Sequence, residues 1–302
     1  GRTLEKATPL ILGGLAVAFA FKAGLFNIGG QGQLLLGAIL AGAVGFAFTD
    51  LPFIIHMPLA LLIGSLMGAI FAGIAGALRT YTGAHEVITT IMLNFVAINI
   101  TDYLADGPWK DTGIVARTPA IEASATIPVW GTLPAGFFIA ALRSFATWYL
   151  LFRTTLGYEI RTVGLNSNAA HYAGIKVART IILTMAISGF LAGMGGAIET
   201  LGVVGRFQPG FNTGLGFDGI TIALLARTNP LGVIPAALLV GAMQAGSSQM
   251  QFDAGVQSQI IDVIQALILF FVSAEMIVRW IIRTRAEDGG GVTISTGWGS
   301  SS

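Results

Sequence analysis

Long apolar stretches, separated by short polar ones, run through almost the whole chain. Nine of them are candidates for membrane-spanning helices, which need about 20 apolar residues each. They cover residues 8–26, 30–49, 57–78, 86–105, 135–152, 180–200, 217–227, 231–250 and 257–282. The seventh would be only about 16 Å long as a helix, so we interpret it as a half-helix that begins near the membrane centre. The pattern predicts an all-α polytopic membrane protein with broken or half helices.

Composition supports this fold class. The 302 residues are 54% hydrophobic and only 10% charged, whereas soluble domains carry about 25% charged residues. The 41 glycines suit helices that approach closely in lipid. A net charge of +1 argues against nucleic acid as a partner, and the lack of cysteine excludes disulfides and thiolate metal sites.

The placement of Lys and Arg in the loops predicts the orientation, because cytoplasmic loops carry more of them. With the C-terminus in the cytoplasm, ten cations lie inside and five outside, while Arg143 falls within the fifth stretch. The inner set is Lys22, Arg79, Arg153, Arg161, Lys176, Arg179, Arg227, Arg279, Arg283 and Arg285. Nine crossings then put Gly1 outside, so we expect one more helix before it, ten in the full protein.

The chain is expected to form one domain and a tail. Residues 1–285 would be a single transmembrane domain, with a polar cytoplasmic loop at 153–179. Residues 286–302 are rich in Gly and Ser and carry no apolar stretch. We therefore expect a flexible cytoplasmic tail there.

The first two apolar stretches are joined by a polar, glycine-rich segment, GLFNIGGQGQ at residues 24–33. Unwound backbone is tolerated at membrane depth only where protein or water covers it. One interpretation is a broken helix that lines a pathway, with Asn27 and Gln31 facing it. The other is a tight polar turn at the membrane surface.

The fourth stretch places Thr90, Asn94 and Thr101 on one helix face. Such side chains either hydrogen-bond a neighbouring helix or contact a polar solute. His85 and Glu86 resemble half of a zinc-protease signature, but Thr89 stands where the second histidine belongs. The chain also has no phosphate-binding GxxxxGK[ST] run and no GxSxG elbow. We therefore predict no catalytic residue and no metal site.

The loop at 153–179 holds the densest cluster of cations in the chain. We interpret it as a cytoplasmic element that receives mechanical input from a partner; an ordinary amphipathic loop is the alternative. A short helix fits its sequence, bracketed by Gly164 and Gly174 as breakers. In that helix Ala169, Tyr172 and Ala173 would face the membrane domain.

Four stretches resemble one family. LGYEIRTVGLNSNAAHYAGIKVAR resembles the cytoplasmic coupling segment of permease subunits in bacterial ABC importers for simple sugars, nucleosides and branched-chain amino acids. GLFNIGGQGQLLLGA, GAHEVITTIMLNFVA and FDGITIALLARTNPLGVIPAALLVGAM are similar to the same family. EVITTIMLNFVA resembles the branch that works with a purine-nucleoside-binding lipoprotein.

The resemblance implies about ten helices per subunit in a bacterial cytoplasmic membrane. It also implies a second permease chain, identical or different, an ABC ATPase and an extracytoplasmic substrate-binding lipoprotein. ATP and Mg²⁺ would bind the ATPase, with no cofactor in this chain. The segment from Glu159 to Gly174 would dock on the ATPase, and its candidate coupling residues are Glu159, Arg161, Gly164, Asn166, Ala170 and Gly174.

The candidate pathway residues are Asn27, Gln31, Asn94 and Asp218. Apart from Asp218 they are uncharged, which suits a neutral, hydrogen-bonding solute such as a nucleoside or a sugar. We expect a nucleoside permease. The alternatives are a permease for sugars or branched-chain amino acids, an ion-coupled secondary transporter and, less in keeping with the missing motifs, an intramembrane enzyme.

Overall fold

The computed structural model describes residues 1–210, 214–255, 257 and 259–271. These residues form eleven α-helices and one β-hairpin. The first five helices are α1 (Arg2–Lys22), α2 (Gly30–Ala47), α3 (Phe53–Thr82), α4 (Glu86–Asp106) and α5 (Ala135–Arg153). The others are α6 (Thr155–Leu165), α7 (Ser167–Tyr172), α8 (Val177–Glu199), α9 (Leu215–Leu225), α10 (Val233–Ala254) and α11 (Ile260–Phe271). The hairpin strands, β1 (Val129–Trp130) and β2 (Leu133–Pro134), precede α5.

Among the described residues, six helices are long and apolar enough to cross a membrane: α1 to α5, and α8 with the π-helical turn Thr200–Val204 that extends it. They correspond to the first six predicted stretches. The seventh is short, as predicted, since α9 has 11 residues. The ninth is described only as α11, and its remainder to residue 282 lies outside the described residues. So do the predicted tail at 286–302 and the cations Arg279, Arg283 and Arg285.

Helix α1 is the centre of the bundle. Every residue from Ala7 to Ala20 is buried, as expected for a helix that is apolar on all sides. It packs against α5, α8, α9 and α10. Its contacts with α9 and α10 are close, because a Cβ added to Gly14 would meet Ile222 and Val233 within about 3 Å.

Helix α4 carries polar residues on its buried face and apolar residues on its exposed face, the reverse of a helix in a soluble protein. Its buried residues form one stripe that includes Thr90, Asn94 and Thr101, so the predicted shared face is confirmed. Its exposed residues are apolar, among them Met92 and Phe95, which are 61% and 59% exposed. A polar inner stripe and an apolar outer surface are typical of a helix that contacts lipid.

Helices α3 and α8 approach until their backbones touch. Gly68 on α3 lies against Gly189 and Gly193 on α8, where an added Cβ would collide with main-chain atoms of the other helix, and a Cβ on Gly64 would collide with the carbonyl oxygen of Gly37 on α2. Close approach at small residues is the usual basis of helix association in membranes. These glycines therefore allow direct backbone contact between neighbouring helices of the bundle core.

The loops gather at two opposite ends of the bundle. At one end, Ile127 N donates to Leu201 O at 2.9 Å and Thr118 N donates to Phe207 O at 2.9 Å. At the other end, the backbone of Lys22 meets Gly164 of α6. The loop regions predicted to lie outside share the first end, and the cationic loops after α1 and α5 share the second.

Candidate functional site

The segment between α1 and α2 folds back into the bundle. Asn27 is 1% exposed, and its Nδ2 donates to Ser188 Oγ at 2.8 Å, in the middle of α8. Ser188 Oγ donates in turn to Ala16 O of α1 at 2.7 Å. Both partners lie within long helices. The interpretation of residues 24–33 as a turn at the membrane surface is therefore wrong, and the helix is broken inside the bundle. Asn27 also exchanges two 2.9 Å hydrogen bonds with the amide of Gln33.

Asn94 holds the start of α2 in place. Its Oδ1 accepts a hydrogen bond from Gly32 N at 2.8 Å, and its Nδ2 donates to Ile28 O at 2.9 Å. The first N–H groups of a helix have no partner within the helix, and Asn94 supplies one from α4. Of the two roles that the sequence leaves open for this face, a bond to a neighbouring helix is therefore confirmed for Asn94.

An Asn94→Ala variant is expected to lose stability. It leaves the buried N–H of Gly32 without its partner, which costs about 1–3 kcal/mol, and it removes the bond to the partly buried C=O of Ile28. Thermal unfolding of the purified protein in detergent measures the loss. Asn99→Ala is the matched control, because Asn99 is exposed and bonds only Phe95 O of its own helix. Equal unfolding temperatures for the two variants would contradict the capping role.

The N-terminus of helix α9 lies against the N-terminus of α2. Gly216 N donates to Gln31 Oε1 at 2.9 Å, and a Cβ on Gly216 would collide with the backbone of Gln31. The N-termini of two helices thus meet beside one amide side chain, and both present the positive end of the helix dipole. Asp218, in the first turn of α9, accepts a hydrogen bond from Gln244 Nε2 of α10 at 3.0 Å.

A cavity of about 260 Å³ lies beside this junction. Its walls come from α2, α4, α9, Gly210 and Gly214, with side chains of Gln31, Leu35, Ile98, Asp102 and Phe217. A second, more open cavity of about 670 Å³ also borders Asp102 and reaches Asp106 and Pro209. Asp102 borders both cavities.

Asp102 and Phe217, which also border this cavity, are absent from the sequence prediction. Asp102 is a carboxylate within the fourth apolar stretch, and such a residue usually marks a functional site. It lies close to the end of the stretch, where a charge also suits the membrane surface. Phe217 is one of several aromatic residues in apolar surroundings, and nothing in the sequence separates it from the others. Of the four predicted pathway residues, only Gln31 borders the cavity.

Helix α6 is fixed to the membrane bundle by backbone contacts. A Cβ on Gly157 would collide with the main chain of Leu150 and Leu151, and a Cβ on Gly164 would collide with that of Lys22. The expectation that Gly164 breaks a helix is wrong, because it lies inside α6. Glycine is needed there for close approach to the end of α1.

The short helix predicted between Gly164 and Gly174 is α7, and Asn166 separates it from α6. This residue ends α6 and caps α7, with its Oδ1 accepting from Asn168 N and Ala169 N at 3.0 Å each. Ala170 is the buried residue of α7, whereas Tyr172 is 90% exposed. The expectation that Ala169, Tyr172 and Ala173 face the membrane domain is therefore wrong. Gly174 follows α7 with φ of +82°, the left-handed conformation that ends many helices.

The cations near α5 and α6 stack on aromatic rings. The guanidinium carbon of Arg161 lies 5.1 Å from the ring centre of Phe152, and Arg161 Nε donates to Gly157 O at 3.3 Å. Glu159 is partly exposed on the same helix. Arg143, the charge within the fifth stretch, lies over the ring of Phe190 at 5.9 Å. That cation–π contact stabilises a charge within α5. The bounds of α5 agree with those of the fifth predicted stretch, 135–152.

Comparisons with known proteins agree with this architecture. The permease component family of branched-chain amino acid transport systems matches residues 2–273. A guanosine ABC transporter permease of Bacillus subtilis (strain 168) is 40% identical over 96% of this chain and 85% of its own length. A nucleoside ABC transporter permease of Lactococcus lactis is 37% identical, covering 92% of this chain and 80% of that protein. A glucose ABC transporter permease of Haloferax volcanii is also 37% identical, covering 92% and 77%.

Each of these three organisms also has a second, less similar relative with a corresponding name, at 27% or 28% identity. The matches extend over both the helix junction and the α6–α7 segment. The chain therefore belongs to the permease family of branched-chain amino acid transport systems and is a membrane-spanning permease subunit of an ABC transporter.

Proposed function

We propose that this chain forms the translocation path of an ATP-driven importer for nucleosides. The observation that carries the proposal is 40% identity, over 96% of the chain, to a guanosine permease. The nucleoside permease of Lactococcus lactis adds to it. Sugar import is the second candidate, favoured by the glucose permease at 37% identity.

The chemistry of the helix junction supports a neutral solute. Asn27 and Asn94 have both ends of their amides engaged by the protein, so they shape the junction. Gln31 borders the cavity, close to two helix N-termini that favour electron-rich groups. A nucleoside offers such groups in its ring nitrogens and carbonyl oxygens. Asp218 would act at the α9–α10 contact.

The α6–α7 segment is proposed as the contact with the ATPase. With Gly174, which follows α7, it contains all six candidate coupling residues. Its side chains Leu165 and Tyr172 are 89% and 90% exposed. Large exposed side chains at a polar end of the bundle suit a partner protein. In this arrangement Gly164 and Ala170 anchor the segment, Asn166 and Gly174 set its shape, and Glu159 and Arg161 contact the partner. ATP and Mg²⁺ would bind the ATPase, and this chain would need no cofactor and catalyse no reaction.

We propose that the end of the bundle with α6 and α7 faces the cytoplasm of a bacterial cell, with the C-terminus on the same side. The gathering of the cationic loops there supports this orientation. The other end would meet an extracytoplasmic binding lipoprotein. A second permease chain completes the path, and we infer that it is a different chain, because relatives occur as two unequal members in three organisms.

Reconstitution with the native partners tests the function. Proteoliposomes that contain the full complex and ATP are expected to take up labelled guanosine, and unlabelled adenosine or inosine should compete. Glucose and leucine in excess serve as controls and should not compete. Competition by glucose but not by nucleosides would assign the sugar function instead. Uptake without ATP would contradict an ABC importer.

A further inference from the structure

The cavity beside the helix junction has two unlike surfaces. One is apolar and is formed by Leu35 of α2, Ile98 of α4 and Phe217 of α9. Phe217 is 48% exposed although it belongs to a helix that packs on α1. The other surface is polar, with the amide of Gln31 and the carboxylate of Asp102. A ligand for this cavity needs a flat apolar face and a hydrogen-bonding edge.

The carboxylate of Asp102 has no hydrogen bond or ion pair with any residue in the described part of the chain. An ionised carboxylate only accepts hydrogen bonds, so a complementary ligand must bring N–H or O–H donors. Asp106, one turn later on α4, differs because Lys110 Nζ donates to it at 2.8 Å. Asp102 is thus available within a spanning helix, where an ionisable residue is a functional candidate by default.

We propose that this cavity binds the base of the transported nucleoside, and that Phe217 and Asp102 determine which solutes pass. The proposal rests on the nucleoside function above and adds the residues that read the base. Phe217 packs against the face of the base, as aromatic side chains do with bases generally. Asp102 accepts hydrogen bonds from the N–H groups along the edge of the base.

This arrangement favours some bases over others. Guanine carries a ring N–H and an amino group side by side, which match the two oxygens of a carboxylate. Hypoxanthine has the ring N–H but not the amino group, so it forms one bond fewer. Sugars carry hydroxyl donors but have no aromatic face for Phe217. The cavity volume of about 260 Å³ is slightly below the range of about 300–1,000 Å³ typical of ligand sites, which suits one base with its ribose directed toward the larger cavity.

Maximal uptake rates of the complete transporter test the proposal. The binding protein selects the solute first, so each solute is supplied at a concentration that saturates it. Asp102→Asn is expected to lower the maximal rate for guanosine about tenfold and to lower the rate for inosine less. Phe217→Ala should lower both rates, and Phe217→Trp, which keeps an aromatic surface, should restore them.

Two control variants separate the site from general effects on the helices. Asp50→Asn makes the same charge change in the exposed loop after α2, outside both cavities, and Phe95→Ala removes an aromatic side chain from the exposed face of α4. Both should transport guanosine and inosine at wild-type rates. The yield of assembled complex in detergent checks that every variant folds.

The outcomes distinguish the two proposals. If the wild-type complex imports no nucleoside, the nucleoside function fails and the cavity proposal fails with it. If the wild type imports guanosine and well-assembled Asp102→Asn and Phe217→Ala variants match it for both solutes, only the cavity proposal is overturned. Equal losses in the control variants would also overturn it, since the effect would then not belong to the cavity.

Discussion

A Gly68→Val variant is expected to yield little folded protein. The added Cβ collides with the carbonyl oxygen of Gly189 and comes within 2.8 Å of the Cα of Gly193. Overpacking a core costs about 1–3 kcal/mol when side chains can adjust. Here the obstacle is main chain, so α3 and α8 must separate, and we expect a loss of about 3 kcal/mol or more. Thermal unfolding in detergent and the yield of monodisperse protein measure it.

Gly73→Val, five residues further along α3, is the matched control. A Cβ at Gly73 meets only the Cβ of Ala186 at 3.9 Å, an ordinary contact. This variant should purify and unfold like the wild type. A Gly68→Val protein as stable as the Gly73→Val protein would show that the two helices do not depend on backbone contact.

Gly174→Val is expected to separate ATP hydrolysis from import. Valine at a φ of +82° costs about 1–2 kcal/mol from its Cβ alone. Because α7 has only six residues, its end must change shape, and with it the surface offered to the ATPase. Uptake should fall about tenfold, the factor that corresponds to about 1.4 kcal/mol. No atom in the described part of the chain lies within 4 Å of the added Cβ, so the bundle itself should stay folded.

Gly174→Asn provides the control, because asparagine tolerates the left-handed conformation better than other side chains. Uptake and ATPase activity are measured together in proteoliposomes. We expect the asparagine variant to keep wild-type uptake per ATP hydrolysed and the valine variant to hydrolyse ATP with little uptake. Wild-type uptake in the valine variant would remove α7 from the coupling path.

Most of the membrane architecture could be predicted from the sequence, because crossing a bilayer places a strong local constraint on it. About 20 apolar residues in a row are a sufficient signal for α1 to α5 and α8. The spacing of Thr90, Asn94 and Thr101 was likewise sufficient for their shared face, since helix periodicity is local. The short length of α9 was visible for the same reason.

The features that sequence reasoning missed depend on distant contacts. Gly164 resembles a helix breaker until the backbone of Lys22 is placed against it. Asn166 separates α6 from α7 because its side chain caps α7, and several nearby polar residues are equally good candidates. Asp102 and Phe217 border one cavity although they lie far apart in the sequence. Only the packing of α2, α4 and α9 brings them together.

The contact between Gly164 and the end of α1 has a mechanical consequence. No side chain lies between the two backbones, so there is no soft layer to absorb a displacement of α6. A shift of α6 must move Lys22 and the segment after it by a similar distance. That segment leads within eight residues from Lys22 to Gly30, the first residue of α2. Backbone contact and eight residues of chain therefore join α6 to the start of α2, where Gln31 borders the cavity.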